Sequence, residues 1–219
     1  MLYVVSTPIG NLKDITYRAV EILKEVDLIA AEDTRHTRTL TKYYEIDTPL
    51  TSYFEHNENK KSQELLKLLQ VGKNIALVSD AGTPGISDPG YRLINIAREH
   101  NISINVIPGA CALIAALTVS GLSASSFSFE GFLPVKTVGR KKKLESFLGN
   151  KKTVIFYESP HRIVKMLRDI QEVFNDPVVV CARELTKKFE EVRYGQASVH
   201  VQHFTSTKPK GEFVVLVSC

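Results

Sequence analysis

Three short loops, rich in glycine, proline and small polar residues, each follow an apolar run: Thr7-Pro8-Ile9-Gly10-Asn11, the long Ser79–Gly90 segment, and Pro108-Gly109-Ala110-Cys111-Ala112. The Ser79–Gly90 segment carries three glycines, two prolines and two aspartates. Glycine lets the backbone approach a ligand closely, and proline holds a loop in shape. Asp80 suits an ammonium or a ribose hydroxyl, and Asp88 suits a helix cap. The segment has neither GxGxxG nor GxxxxGK[ST], and Val71-Gly72-Lys73-Asn74 reads as a helix exit, so a nucleoside triphosphate site is disfavoured. A GxSxG elbow is also missing, which argues against a serine hydrolase. Charged residues gather in five other places: Asp33 and Arg35, Glu55-His56-Asn57-Glu58, Glu158 with Arg162, Arg183 with Glu184, and the basic run around Arg140 and Lys141.

The elements that must position these residues alternate between strand and helix. Tyr3–Ser6, Leu28–Ala31, Ile75–Ser79 and Ile102–Ile107 are short apolar strands. Between them lie a helix over Ala19, Ile22, Leu23 and Val26 with Asp14 as its expected cap, and one through Leu65–Leu69 closed by Gly72. A third, capped by Ser87 or Asp88, runs through Leu93, Ile94 and Ala97. That pattern is α/β, with helices on a largely parallel sheet. In such sheets ligands bind outside the carboxyl ends of the strands, so the three loops are expected on one edge.

Ser120–Ser128 marks a composition shift, which divides the chain into 1–121 and 122–219. Beyond it, strands are expected at Phe127–Phe132, Thr153–Tyr157, Val178–Ala182, Ser198–His203 and Phe213–Val217, with helices at Gly139–Leu148 and Pro160–Phe174. That spacing favours a mixed sheet.

Composition narrows the class. Of 219 residues, 43% are hydrophobic and 24% charged, an ordinary globular mixture able to bury a core. No apolar run approaches the ~20 residues of a membrane span, and the N-terminus reads as a strand, not a signal peptide. Cys111, Cys181 and Cys219 show no CxxC spacing, so neither a zinc site nor a disulfide framework is indicated, and a reducing, cytoplasmic setting is expected. The net charge of +4 is compatible with a nucleic-acid partner. Lys136, Arg140, Lys141, Lys142, Lys143, Lys151 and Lys152 form either a solvated helix face or a patch that contacts phosphates.

The motifs, taken in order, have a familiar arrangement. Thr7–Asn11, Ala31-Glu32-Asp33-Thr34-Arg35-His36-Thr37, Glu55–Glu58 and the aspartate-glycine loop are followed by Phe156-Tyr157-Glu158-Ser159-Pro160-His161-Arg162 and Arg183-Glu184-Leu185-Thr186-Lys187. Together they resemble the ribosomal RNA small-subunit methyltransferase I family, over about Leu2 to Val217. That family has the two-domain tetrapyrrole-methylase-like fold and methylates a cytidine ribose 2′-hydroxyl in the decoding region of 16S rRNA.

The resemblance implies S-adenosylmethionine in a cleft between the domains. Pro8, Gly10, Asp80, Gly82, Thr83 and Pro84 would line it, with Cys111 and Ala112 from the third loop and Tyr157 from the second domain. Cys111 stands where the family usually has serine. Longer members carry a C-terminal extension, whose RNA contacts are not carried over. The implied partner is 16S rRNA or the small ribosomal subunit, and related enzymes of this fold pair as homodimers.

For the acceptor side, Glu158 either orients or deprotonates the ribose hydroxyl, or bridges to Arg162 or Arg183. Asp33 and Arg35 either touch the acceptor nucleotide or form an ion pair within their loop, and His56 is either catalytic or an exposed loop histidine. Arg162 and Arg183 suit phosphate or carboxylate clamps, since guanidinium is no base. Two other readings compete: a methyltransferase of the same fold acting on a tetrapyrrole or corrin precursor, and a non-catalytic RNA-binding assembly factor.

Overall fold

The computed structural model describes residues 1–218; Cys219 lies outside the described residues. The chain forms two compact units that meet between Cys111 and Ala112. The composition shift, by contrast, sets the division after Gly121.

The first unit contains β1 (Leu2–Val5), α1 (Tyr17–Glu25), β2 (Leu28–Ala31), α2 (Thr34–Tyr43), β3 (Leu50–Ser52), α3 (Glu58–Gln70), β4 (Ile75–Val78), α4 (Tyr91–Glu99) and β5 (Ile104–Ile107). Its sheet has the order β3-β2-β4-β1-β5, with every pair parallel. The near-continuous apolar runs of the inner strands follow from burial on both faces. Alternation divides them: Ile29, Ala31, Ala76 and Val78 pack with Ala19, Leu23 and Leu40 on one side. Ala30, Ile75 and Leu77 pack with Leu65, Leu69, Leu93 and Ala97 on the other. Helices therefore cover both faces, and all the strand carboxyl ends share one edge.

The helix starts differ from the expected ones. Thr16, not Asp14, caps α1, accepting the Ala19 N–H at 3.1 Å, while Asp14 belongs to a 3-10 turn at Leu12–Asp14. The N-cap position of α4 falls at neither Ser87 nor Asp88. Gly90 takes that position with φ +152°, and its N–H donates to Glu58 Oε1 at 3.1 Å. That position leaves no room for a side chain: a Cβ on Gly90 would lie 3.1 Å from Gly85 N and 3.2 Å from Leu77 Cδ2. Helix α2 and strand β3 have no counterpart in the expected elements.

The second unit contains α5 (Ala112–Val119), β6 (Phe127–Phe132), α6 (Thr137–Glu145), β7 (Thr153–Glu158), α7 (Ile163–Val173), β8 (Val178–Arg183), β9 (Glu191–Gln196), α8 (Ala197–Thr207) and β10 (Phe213–Ser218). Its sheet runs β6-β7-β10-β8-β9, parallel only between β6 and β7, and is thus mixed. Phe156, Cys181, Phe213 and Val215 face Met166, Leu167, Ile170 and Phe204 of α7 and α8. Helix α5 lies against β7 and β10.

The expected strand at Ser198–His203 is wrong, for that segment lies within α8. Val199 and Val201 alternate with polar residues as in a strand, yet the buried set is Ala197, His200 and Phe204, a helical spacing. The strand lies just before it, in β9, where the alternation leaves Val192 and Tyr194 exposed.

Candidate functional site

β4, β1 and β5 are neighbours, so their loops leave the sheet side by side. They are tied together beyond the last ladder bonds. Thr7 and Gly82 exchange main-chain hydrogen bonds at 2.8 and 3.1 Å, and Thr7 Oγ1 donates to Ser79 O at 3.1 Å. The Ser6 N–H donates to Ile107 O at 3.1 Å. The Ser6 and Thr83 hydroxyls are 2.9 Å apart, and Thr83 Oγ1 donates to Ala110 O at 3.3 Å. One hydroxyl pair therefore links all three loops.

Backbone lies so close here that side chains are excluded. Gly82 holds φ +86°, and a Cβ on Gly109 would come within 3.0 Å of Ser6 Cβ. The loop after β2 joins the same edge: the Asp80 N–H donates to Glu32 Oε2 at 3.2 Å, and the Asp33 N–H donates to Asp80 Oδ1 at 2.9 Å. Burial raises the Glu32 carboxyl above its ordinary range.

Of the expected cofactor residues in this unit, Pro8, Gly82 and Pro84 are buried, Asp80, Thr83 and Cys111 half-buried, and Gly10 exposed. Asp80 Oδ1 is engaged by Asp33, so part of its carboxylate braces the β2 and β4 loops. Ser6, Gly109 and Glu32 were absent from the expected set. Their positions next to strand ends were the available signal, but only coordinates reveal their mutual contacts.

Asp33 is the N-cap of α2, accepting the Arg35 N–H at 2.8 Å. Its carboxylate also pairs with Arg35 at 2.6 Å, and the guanidinium holds that carboxyl well below the usual range. Arg35 itself is 85% exposed. His56 is exposed and edge-on to Phe54, with ring centroids 6.3 Å apart.

In the second unit Glu158 ends β7 with its side chain wholly buried. Oε1 accepts the Ser159 N–H at 2.8 Å and lies 3.3 Å from Arg162 Nε, while Oε2 has no partner among the described residues. Burial pushes this carboxyl up, partly offset by the Ser159 N–H and Arg162. Arg162 also donates to Leu133 O at 2.5 Å, and Arg183 pairs with Glu191 at 3.1 Å. The partner of Glu158 is therefore Arg162, and both arginines already hold carboxylates. Tyr157 is half-buried, edge-on to Phe129 at 4.8 Å, and Ala112 opens α5.

The basic run needs correction. Arg140 is only 2% exposed: it donates to Asp169 Oδ2 at 2.5 Å, to Val135 O at 2.9 Å, and to Pro134 O and Thr137 Oγ1 at 3.3 Å. Its guanidinium is committed to the fold and is closed to phosphate. Lys141 pairs with Glu172 at 2.5 Å and Lys143 with Glu130 at 2.9 Å, so within 140–143 only Lys142 has no carboxylate partner among the described residues.

Comparison with known proteins identifies the arrangement. The tetrapyrrole (corrin/porphyrin) methylase family model matches residues 1–198. The ribosomal RNA small subunit methyltransferase I of Synechocystis is 51% identical, over 100% of this chain and 78% of its own length. That of Thermotoga maritima is 47% identical, over 99% of this chain and 97% of its own. Among solved structures, a diphthine synthase superposes with TM-score 0.76 at 15% identity, covering 100% of this chain and 89% of that one. A cobalt precorrin-4 methyltransferase gives 0.75 at 15% identity, covering 99% and 94%. The fold thus has counterparts over the whole chain, and the chain belongs to the ribosomal RNA small-subunit methyltransferase I family, with the fold of the tetrapyrrole (corrin/porphyrin) methylases.

Proposed function

We propose that this protein transfers a methyl group from S-adenosylmethionine to the ribose 2′-hydroxyl of a cytidine in the decoding region of 16S rRNA. The observation that carries the reading is the make-up of the loop edge. The loops 7–11, 79–90 and 108–111 contain no lysine or arginine, and their only charges are Asp80 and Asp88. A polyphosphate would find no cation there. A donor with a sulfonium, an ammonium and one carboxylate has net charge +1, and it matches that acidic, backbone-lined floor. Gly82 and Gly109 let the three loops pack backbone to backbone, since Cβ atoms there would meet Ile9, Ala110 and Ser6. Relatives named for rRNA methylation, matched along the full chain, support the same donor.

When bound, the donor supplies a methyl group made electrophilic by its positive sulfur. Pro8, Gly82, Thr83 and Pro84 would hold it by backbone and small side chains, Asp80 would attract its ammonium or ribose hydroxyls, and the family resemblance adds Cys111, Ala112 and Tyr157 to its expected contacts. Methyl transfer is an in-line displacement, so positioning supplies much of the rate. Glu158 takes the acceptor proton: its Oε2 has no partner among the described residues, and burial has raised its proton affinity toward that of a useful base. Asp33 and Arg35 orient the acceptor nucleotide, with Arg162 and Arg183 fixing the carboxylates around it. In this reading the protein works in the cytoplasm as a homodimer on rRNA or the small subunit.

The test is incubation with methyl-labelled S-adenosylmethionine and small subunits lacking the modification, followed by alkaline hydrolysis. A 2′-O-methyl group blocks cleavage, so the label is expected in an alkali-resistant dinucleotide that begins with cytidine. Label on a base, or transfer only to a tetrapyrrole, would overturn the reading.

A further inference from the structure

Helix α2 carries an exposed stripe in which only Arg35 has a carboxylate partner among the described residues. Its buried side is Thr37, Leu40 and Thr41. Arg35, Arg38, Thr39 and Lys42 are three, four and seven positions apart and share the exposed side. The stripe begins with Arg35, at the carboxyl edge of β2 where Asp33 meets Asp80. At its far end Leu12, Arg38, Thr39, Lys42 and Tyr43 line an open, shallow depression of about 480 Å³.

Tyr43 is 54% exposed and rests edge-on against Tyr44 at 4.9 Å. The Tyr44 hydroxyl donates to Leu12 O at 2.7 Å, which fixes the floor of the depression. Tyr17, 92% exposed, stands near Tyr44, as does Asp14. Among the described residues neither Arg38 nor Lys42 has a carboxylate partner, in contrast to Arg140, Lys141 and Lys143. Two uncompensated cations beside an exposed aromatic ring complement a polyanion with accessible π-faces. Single-stranded RNA is such a partner, whereas duplex RNA keeps its bases stacked inside.

We propose that this α2 face binds a single-stranded RNA segment flanking the methylated nucleotide, with Arg38 and Lys42 on phosphates and Tyr43 stacked on a base. The proposal rests on the rRNA reading and adds a docking track that leads away from the methyl-donor edge. It also moves the RNA-steering role off the Arg140–Lys143 run.

The experiment measures binding of a short unstructured oligoribonucleotide to the full chain across a salt series, with S-adenosylmethionine affinity measured in parallel. Each phosphate contact on a single strand contributes about 0.7 to the log–log salt slope, so R38A/K42A should flatten it by about 1.4. Tyr43→Ala should weaken binding roughly 5- to 150-fold with the slope retained, and Tyr43→Phe should restore most of the loss. All three substitutions are at exposed positions, and cofactor affinity should be unchanged, which shows that the variants are folded. Wild-type slope and affinity in both Tyr43→Ala and R38A/K42A would overturn the proposal. If the wild-type chain bound neither this RNA nor small subunits, the functional reading itself would fail.

Discussion

Arg140 is where the chemistry of a surface residue and that of a core residue make opposite predictions. Its guanidinium reaches Asp169, two main-chain carbonyls and the Thr137 hydroxyl, and Asp169 is itself 6% exposed. Asp169→Ala would leave a buried cation with only neutral acceptors, and Arg140→Ala would leave a buried carboxylate and two carbonyls without their donor. Breaking a buried pair on one side costs roughly 3–5 kcal/mol. Taking about 4 kcal/mol, the folding equilibrium shifts by nearly a factor of about 1000. With a urea m-value of about 2 kcal/mol per molar, the midpoint falls by about 2 M. Removing both charges with Arg140→Met and Asp169→Leu should recover most of that loss, because an apolar pair of similar volume has no charge to desolvate. Urea titration followed by circular dichroism measures all four proteins, and RNA affinity is read under native conditions. A loss below about 1 kcal/mol for Asp169→Ala, together with a flatter salt slope of RNA binding for Arg140→Ala, would refute the structural role and return Arg140 to the RNA.

Two further perturbations address the site. Glu158→Gln should lower kcat by roughly 100- to 10,000-fold and remove the acidic limb of the rate profile, which in the wild type lies above the ordinary carboxyl value of 4.5 because burial favours the protonated form. A raised folded-state value also means that the stability contributed by this group is greatest below pH 4.5 and is lost as pH rises through the folded value. Neutral-pH stability should therefore not fall in Glu158→Gln by more than the lost Arg162 pairing, and a pH profile parallel to wild type would exclude the base role. Gly109→Ala introduces a Cβ at 3.0 Å from Ser6 Cβ, so the third loop must move; S-adenosylmethionine affinity by calorimetry should drop at least tenfold, about 1.4 kcal/mol, and an unchanged Kd would place the donor elsewhere.

Much of this arrangement could be read from residue types, for identifiable reasons. Ile75–Val78 and its neighbours are buried on both faces, so an uninterrupted apolar run marks each strand, and the loops after them were legible as one edge. Helix α2 was hidden because its buried side is mostly threonine, and Thr34–Arg38 reads as a polar loop until Leu40 and Asp33 are seen as core contact and cap. Strand β9 was hidden for the converse reason: its outward residues, Val192 and Tyr194, are the apolar ones. Arg140 and Lys141 look alike in a basic run, and nothing local distinguishes a guanidinium facing Asp169, 29 residues away, from one facing water. At the candidate site, glycine and proline spacing marked the loops themselves, but the Ser6–Thr83–Ala110 chain depends on residues 77 and 27 positions apart. Such long-range pairings have no local signature.

That hydroxyl chain has a kinetic meaning. Loops that order only when a ligand arrives lose conformational entropy at that moment, about 0.5–1.5 kcal/mol for each side chain immobilised. Here Ser6, Thr7, Gly82, Thr83 and Ala110 are already cross-linked by main-chain and hydroxyl bonds. If the donor binds there as proposed, it meets a floor that is set beforehand, so capture should proceed in a single fast phase whose rate rises linearly with concentration, without the plateau of a slow closure.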